Sequence, residues 1–221
     1  MSAEPQLQRV QDADACATAA AQLVADAVRS GARHLVLAGG TTPLQAYARL
    51  DAMDVPWHGV HLWYGDERCV PFDHPDSNHG AVAARLRATG AHWHPMPGTL
   101  GPDAGAEAYA RELQDADAGF DLVLNGMGPD GHTASLFPHH EALHAAGLTA
   151  GIRDAPKPPP ERITLTLGAL NSGRRLVLLV TGAGKAQALA RVLAGSDPGT
   201  PSSLLARDRL LILADTAALG E

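Results

Sequence analysis

Apolar residues in this chain fall in short unbroken runs: LVLA from Leu35, VHLWY from Val60, DLVLN from Asp121, ITLTL from Ile163, LVLLV from Leu176 and LLILA from Leu210. A strand buried on both faces of a parallel sheet has this continuous rather than alternating pattern. Between the runs, Ala-rich stretches predict helices over 14–29, 43–50, 77–88, 104–117 and 185–193. Alternating strands and helices predict an α/β fold: a doubly wound, mostly parallel sheet with helices on both faces. No internal repeat interrupts the pattern, and the most Pro-rich segment, PKPPPER from Pro156, is too short to separate domains. One domain is expected over 1–221.

With 221 residues, 45% of them hydrophobic, the chain has ample material for a core. Asp and Glu outnumber Lys and Arg by 24 to 17, giving a formal charge of −7. That balance disfavours nucleic acid and anionic membrane as partners. An anionic ligand must then be captured by local donors rather than steered in by overall charge. The N-terminal segment MSAEPQLQRVQDADAC has no basic region leading into an apolar run, so a cytoplasmic protein is expected. Cys16 and Cys69, far apart and outside any C-x-x-C, read as reduced thiols without a catalytic role.

In doubly wound folds ligands collect beyond the carboxyl ends of the strands, and there the sequence becomes specific. The first run is followed by AGGTTPLQAYARL, where Gly39 and Gly40 permit a sharp turn and Pro43 is expected at the first helical position. An ordinary glycine turn with a threonine cap accounts for this loop taken alone; free amides at a helix start also face an anion well. The second run leads into WYGDERCVPFDHPDSNHG, which places Asp66, Glu67 and Arg68 together, with Asp76 or Ser77 as the cap of the next helix. The fifth leads into TGAGKAQAL, with Lys185 at a helix start. A lysine is poorly placed for the helix dipole there unless an anion lies between them.

The third run leads into NGMGPDGHTASLFPHHEALH, which contains two familiar patterns. Gly126, Gly128 and Gly131 fit G-x-G-x-x-G, and His140, Glu141 and His144 fit H-E-x-x-H. The glycine pattern opens no unit whose next strand ends in an acidic residue, so no dinucleotide is expected. The zinc pattern lacks its third histidine, position 150 being Ala150, and a short apolar helix with solvent-facing histidines is the expectation. Neither metal nor cofactor is implied. His132, between the two patterns, is the candidate for chemistry, because an imidazole near its ordinary pKa takes up a proton at neutral pH.

AGGTTP, YGDERCVPFDHPDSN, NGMGPDGHTASLFP, KPPPERITLT and VTGAGKA, in this order, resemble the 6-phosphogluconolactonases, nearly end to end. Ala38, where many relatives have Ser, and Asn125, where Leu is usual, depart mildly. The resemblance implies the Rossmann-like fold shared with glucosamine-6-phosphate deaminase. It also implies hydrolysis of 6-phospho-D-glucono-1,5-lactone to 6-phosphogluconate in the pentose phosphate pathway, without cofactor or metal. On this reading His132, at a strand-to-helix turn, is the general base. Asp130 and Asp66 are equal candidates to orient it, and Gly39, Gly40, Thr41, Thr42 and Lys185 hold the phosphate with help from Arg162. Arg68 has two candidate roles, on the phosphate or on the carbonyl oxygen as charge develops. The deaminase is the nearest alternative, but it has DEY where this chain has DER, and Phe137 occupies the position of its functional Glu. A catalytically silent sugar-phosphate binder is the second alternative; simple phosphate binding gives no reason for His132.

Overall fold

The computed structural model describes residues 4–221; the first three, part of the segment read as lacking a leader, lie outside them. The chain runs β1 (Gln6–Val10), α1 (Ala13–Arg29), β2 (His34–Leu37), α2 (Thr41–Leu50), β3 (His61–Tyr64), β4 (Asp66–Arg68), α3 (Asn78–Ala83), β5 (His92–Trp93) and α4 (Pro102–Asp115). It continues through β6 (Leu122–Gly126), β7 (Thr149–Ile152), β8 (Arg162–Leu165), α5 (Leu167–Asn171), β9 (Arg175–Val180), α6 (Ala186–Ala194), β10 (Leu210–Asp215) and α7 (Thr216–Leu219). Seven strands form one sheet in the order β1-β10-β9-β6-β2-β3-β5. Every pair in it is parallel. Strands added after β2 go first to one side, as β3 and β5, and then to the other, as β6, β9 and β10, so the order reverses between β2 and β6.

Five of the six apolar runs are strands of this sheet. The sixth, from Ile163, is not: it is β8, the middle of a separate antiparallel sheet β4-β8-β7. It reads as a core strand because it is buried throughout, but its polar members are committed locally. Thr164 Oγ1 accepts from Ser135 N (3.2 Å) and donates to Leu165 O (3.0 Å). β1 is largely exposed, and β4, β5 and β7 are too short to form an apolar run. The helix expected over 77–88 is regular only to Ala83.

The core is assembled from these elements as their patterns require. In α1 the buried positions Cys16, Ala17, Ala20, Ala21, Val24, Ala25 and Val28 form one stripe of mostly small residues, which lets the helix pack closely on α2 and β10. Asp12 caps it, accepting from Ala15 N at 2.8 Å. No helix among the described residues is long and apolar enough to cross a membrane.

At the amino end of the sheet, register stacks four imidazoles. His34 pairs with His61 and His61 with His92, and ring centroids are 4.7 Å apart in each pair. His94 closes the stack, 5.1 Å from His61 and 3.8 Å from Trp63. His61 Nδ1 and His94 Nε2 share a 2.9 Å hydrogen bond, so at least one ring is neutral. Trp63 Nε1 donates to His34 Nδ1 at 3.1 Å, and Glu112 holds His94 Nδ1 at 2.6 Å. Burial lowers the pKa of His34, with Asp121 and Asp117 opposing; burial and the neighbouring imidazoles lower that of His61. As pH falls, the unfolded chain takes up protons first. Stability is therefore fully present above the ordinary imidazole value of about 6.5 and is lost as pH drops through it toward the folded values. The urea midpoint should fall between pH 8 and 5.5, and His61→Phe, which keeps a stacked ring that cannot charge, should flatten that fall; equal slopes in both proteins would refute the assignment.

Candidate active site

The loops after β2 and β6 part at the strand-order reversal and leave a crevice of about 430 Å³. Gly39, Gly40, Thr41, Thr42, Asp66, Arg68, His132, Arg162 and Lys185 all line it. Of the residues assigned to the base, the phosphate and the carbonyl oxygen, only Asp130 does not line it, and it meets the crevice through His132.

At the β2 end, Gly40 is the N-cap of α2, with φ of 94°. The ordinary turn with a threonine cap is not formed, since no side chain caps this helix, and its first residue is Thr41 rather than the expected Pro43, which falls third. Thr42 Oγ1 instead bonds Thr181 Oγ1 at 2.7 Å, tying the helix start to the end of β9. The amides of the first turn have no intrahelical acceptor and are free for a ligand. Lys185 stands at the start of α6, where burial lowers its pKa and Asp215 opposes the shift. Asp215, missed in the sequence, ends β10; its carboxylate accepts from Gly182 N at 3.0 Å and from Ala218 N at 2.8 Å. Its signal was an acid closing an otherwise apolar run.

The β6 end carries His132 on an irregular loop closed by an isolated Thr133–Leu136 bridge; no α-helix follows before β7, contrary to the strand-to-helix turn expected. His132 Nδ1 lies 2.5 Å from Asp130 Oδ1. With that nitrogen as donor, Nε2 keeps its lone pair. Burial lowers the imidazole pKa, while the charges of Asp130 and Asp66 oppose it. Burial opposes ionisation of Asp130 too, but the charge and hydrogen bond of His132 outweigh it and hold the carboxyl below its ordinary value. The ring lies on Gly128: a Cβ there would come within 2.1 Å of His132 Cε1, so this glycine serves the imidazole. Phe137 packs tilted against the imidazole, ring centroids 4.9 Å apart.

Asp66 is buried and accepts from Ser135 Oγ at 2.7 Å and from Asn78 Nδ2 at 3.1 Å. Asn78, also missed, lines the crevice as well. Glu67, between the two site residues of β4, points elsewhere and accepts from Arg68 N, Ser77 Oγ, Asn78 N and His79 N. Burial raises its pKa and those bonds oppose the rise. Ser77, not Asp76, caps α3. Arg68 donates from Nη1 to Asp76 O at 2.5 Å, and its buried Nε has no partner. Arg162, directly opposite on β8, spends Nε on Pro159 O (3.0 Å) and Nη2 on Lys157 O (2.9 Å), so it also braces the proline-rich loop.

The HEALH segment is one 3₁₀ turn, Glu141–His144. His144 is exposed as expected, but His140 is not: its Nδ1 accepts from Ala142 N at 3.1 Å and its Nε2 meets Asp154 at 2.8 Å. Burial pushes the thiols of Cys16 and Cys69 up to about 11 each, which leaves both protonated and poorly nucleophilic.

Fold and site define a doubly wound α/β protein whose switch-point crevice combines anion donors with a carboxylate-tethered imidazole. The family model for glucosamine-6-phosphate isomerases/6-phosphogluconolactonase matches residues 8–212, and the chain belongs to that family. A 6-phosphogluconolactonase of Mycobacterium tuberculosis is 40% identical over 76% of this chain and 75% of its own. One from Streptomyces coelicolor is 36% identical over 100% of this chain and 96% of its own. The crystal structure of 6-phosphogluconolactonase from Thermotoga maritima superposes with a TM-score of 0.87 at 27% identity, over 96% of this chain and 100% of that one.

The tether can be tested directly. Because the Asp130 charge raises the pKa of His132, Asp130→Asn should make the imidazole titrate lower than in the wild type, as read from its ring-proton NMR shifts. A value that rises in the variant would contradict the assignment.

Proposed function

We propose that this chain hydrolyses 6-phospho-D-glucono-1,5-lactone to 6-phosphogluconate, with His132 as general base. The observation that carries the reading is the Asp130-tethered, largely neutral imidazole at a crevice otherwise furnished with anion donors. His132 Nε2 takes a proton from water as the water oxygen attacks C1. The C1 carbonyl becomes a tetrahedral oxyanion; its collapse breaks the bond to the ring oxygen, which takes the proton back from His132. The new acid then ionises. Asp130 stabilises the transient imidazolium and fixes the tautomer, as the carboxylate of any such pair does. Between the two acids left open by the sequence, the 2.5 Å contact favours Asp130, whereas Asp66 is engaged by Ser135 and Asn78.

The Gly39–Gly40 turn, Thr41, Thr42 and Lys185 are assigned to the phosphate, with the Lys185 ammonium and the α2 amides as donors. Arg68, with an unpartnered Nε, is assigned to the developing oxyanion; Arg162, already braced on two carbonyls, supplies charge rather than a full bidentate grip. A deaminase reading finds no carboxylate at position 137, where buried Phe137 cannot exchange a proton. The acidic net charge supports a small-molecule partner, and the unpaired thiols fit a reducing, cytoplasmic setting.

Lactone hydrolysis, corrected for the spontaneous rate and run beside glucosamine 6-phosphate, decides the reaction. His132→Asn should lower kcat by about 10²–10⁴ with binding preserved. In the wild type, kcat/KM should fall as pH drops through the depressed imidazole pKa, and that limb should be absent from the variant. Turnover within a few-fold of wild type would move the base elsewhere. Lys185→Ala should raise KM far more than it lowers kcat, since the phosphate is remote from C1; unchanged KM with collapsed kcat would assign Lys185 to chemistry.

A further inference from the structure

The tie between His132 and Asp130 joins two residues of one irregular loop, so a movement of the whole loop would carry both without breaking it. Something outside the loop must hold it in place. The chain leaving α6 supplies that support. Ser202, fully buried, donates its backbone N–H to Gly131 O at 2.9 Å and its hydroxyl to the same oxygen at 2.8 Å. The hydroxyl also lies 3.3 Å from His132 O, which accepts from Gly128 N at 2.9 Å. Thr200 packs beside it: a Cβ on Gly131 would come within 2.6 Å of Thr200 Cγ2.

The supporting turn is tied to itself. Asp197 accepts from Gly199 N at 2.8 Å and from Thr200 Oγ1 at 3.3 Å through its carboxylate, and from Thr200 N at 2.9 Å through its carbonyl. Ser203, equally buried, turns its hydroxyl inward, accepting from Asp197 N (2.8 Å) and donating to Asp197 O (2.9 Å). Two adjacent serines thus face different tasks: Ser203 holds the turn together, and Ser202 holds the turn to the imidazole loop.

We infer that Ser202 is a positioning residue for the hydrolysis, fixing the Gly131–His132 backbone so that the imidazole stays seated on Gly128 within reach of Asp130 and the crevice. This rests on His132 being the base. A displacement of the order of 1 Å is enough to slow a reaction that depends on placement.

The test compares kcat, KM, the acid limb of kcat/KM and Tm in the wild type, Ser202→Ala, Thr200→Ser and Ser203→Ala. Ser202→Ala should lower kcat about tenfold with KM within about twofold. Its acid limb should move up toward the ordinary imidazole value, because the burial that depresses it is relaxed. Thr200→Ser, which keeps the hydroxyl and removes the methyl against Gly131, should move the limb the same way by less. Ser203→Ala should lower Tm without moving the limb. A wild-type limb and kcat in Ser202→Ala, or equal losses in both serine variants that track Tm alone, would overturn the inference while leaving the base assignment intact. A wild type with no acid limb would instead sink the base assignment itself. If Ser202→Ala is recovered unfolded, Thr200→Ser decides: a displaced limb supports the inference and a wild-type limb overturns it.

Discussion

The chain leaves β2 for β3 on one side and, after β5, returns to lay β6 against the other side of β2, so the loops that follow β2 and β6 part at this reversal. The gap between them is the crevice. Each strand end near it contributes one kind of group: glycine amides after β2, the imidazole after β6, and Thr181 and the lysine helix after β9. The Thr42–Thr181 hydrogen bond links two of these strand ends across the sheet. On the proposed reading, a protein of net charge −7 holds an anion here through local donors that line one crevice rather than through its overall charge.

Delivering Asp66 and Arg68 to that gap depends on Glu67. Along a strand, alternate residues point the same way, so Asp66 and Arg68 share a side and Glu67 faces the opposite one. There it is fully buried, and an uncompensated carboxylate would cost several kcal/mol. Three backbone amides at 2.7 Å and the Ser77 hydroxyl at 3.0 Å offset that cost and fasten β4 to the start of α3. The same fastening brings Asn78 under Asp66. The acid-acid-base triplet is therefore two site residues around one structural carboxylate.

The five core strands and the glycine loops were legible because continuous apolar runs and turn glycines are local signals. His132 and Lys185 stood out for the same reason, as polar groups just past such runs. The small sheet was not legible, since β8 is as buried as a core strand and β4 and β7 are too short to announce themselves. Neither was the choice between Asp130 and Asp66, which depends on a contact distance, nor the engagement of Arg162 with two carbonyls. Ser202 and Asp215 act across 70 and 33 residues of chain, and no local pattern marks such partners. The threonine cap failed because Gly40 at positive φ already turns the chain into α2 and Thr42 finds a better partner in Thr181.

The glycine pattern around His132 has a packing cause. Gly128 is bare because the imidazole rests on it, and Gly131 because Thr200 fills the space its side chain would need. With one face of the ring set by Gly128, the neighbour at Phe137 determines what the imidazole can do. Its phenyl ring lies 4.9 Å from His132 by centroids and has the Arg162 guanidinium over its face, 5.6 Å from its centroid. A carboxylate at this buried position would compete with Asp130 for the ring and raise its pKa, favouring a charged imidazolium. A bare guanidinium in contact would push the other way and weaken the base. The phenyl group does neither: it excludes water, satisfies the cation through its face, and leaves Asp130 to set the tautomer. Burial holds the imidazole pKa below its ordinary value with Asp130 opposing, which favours the neutral ring that the proposed role as general base requires.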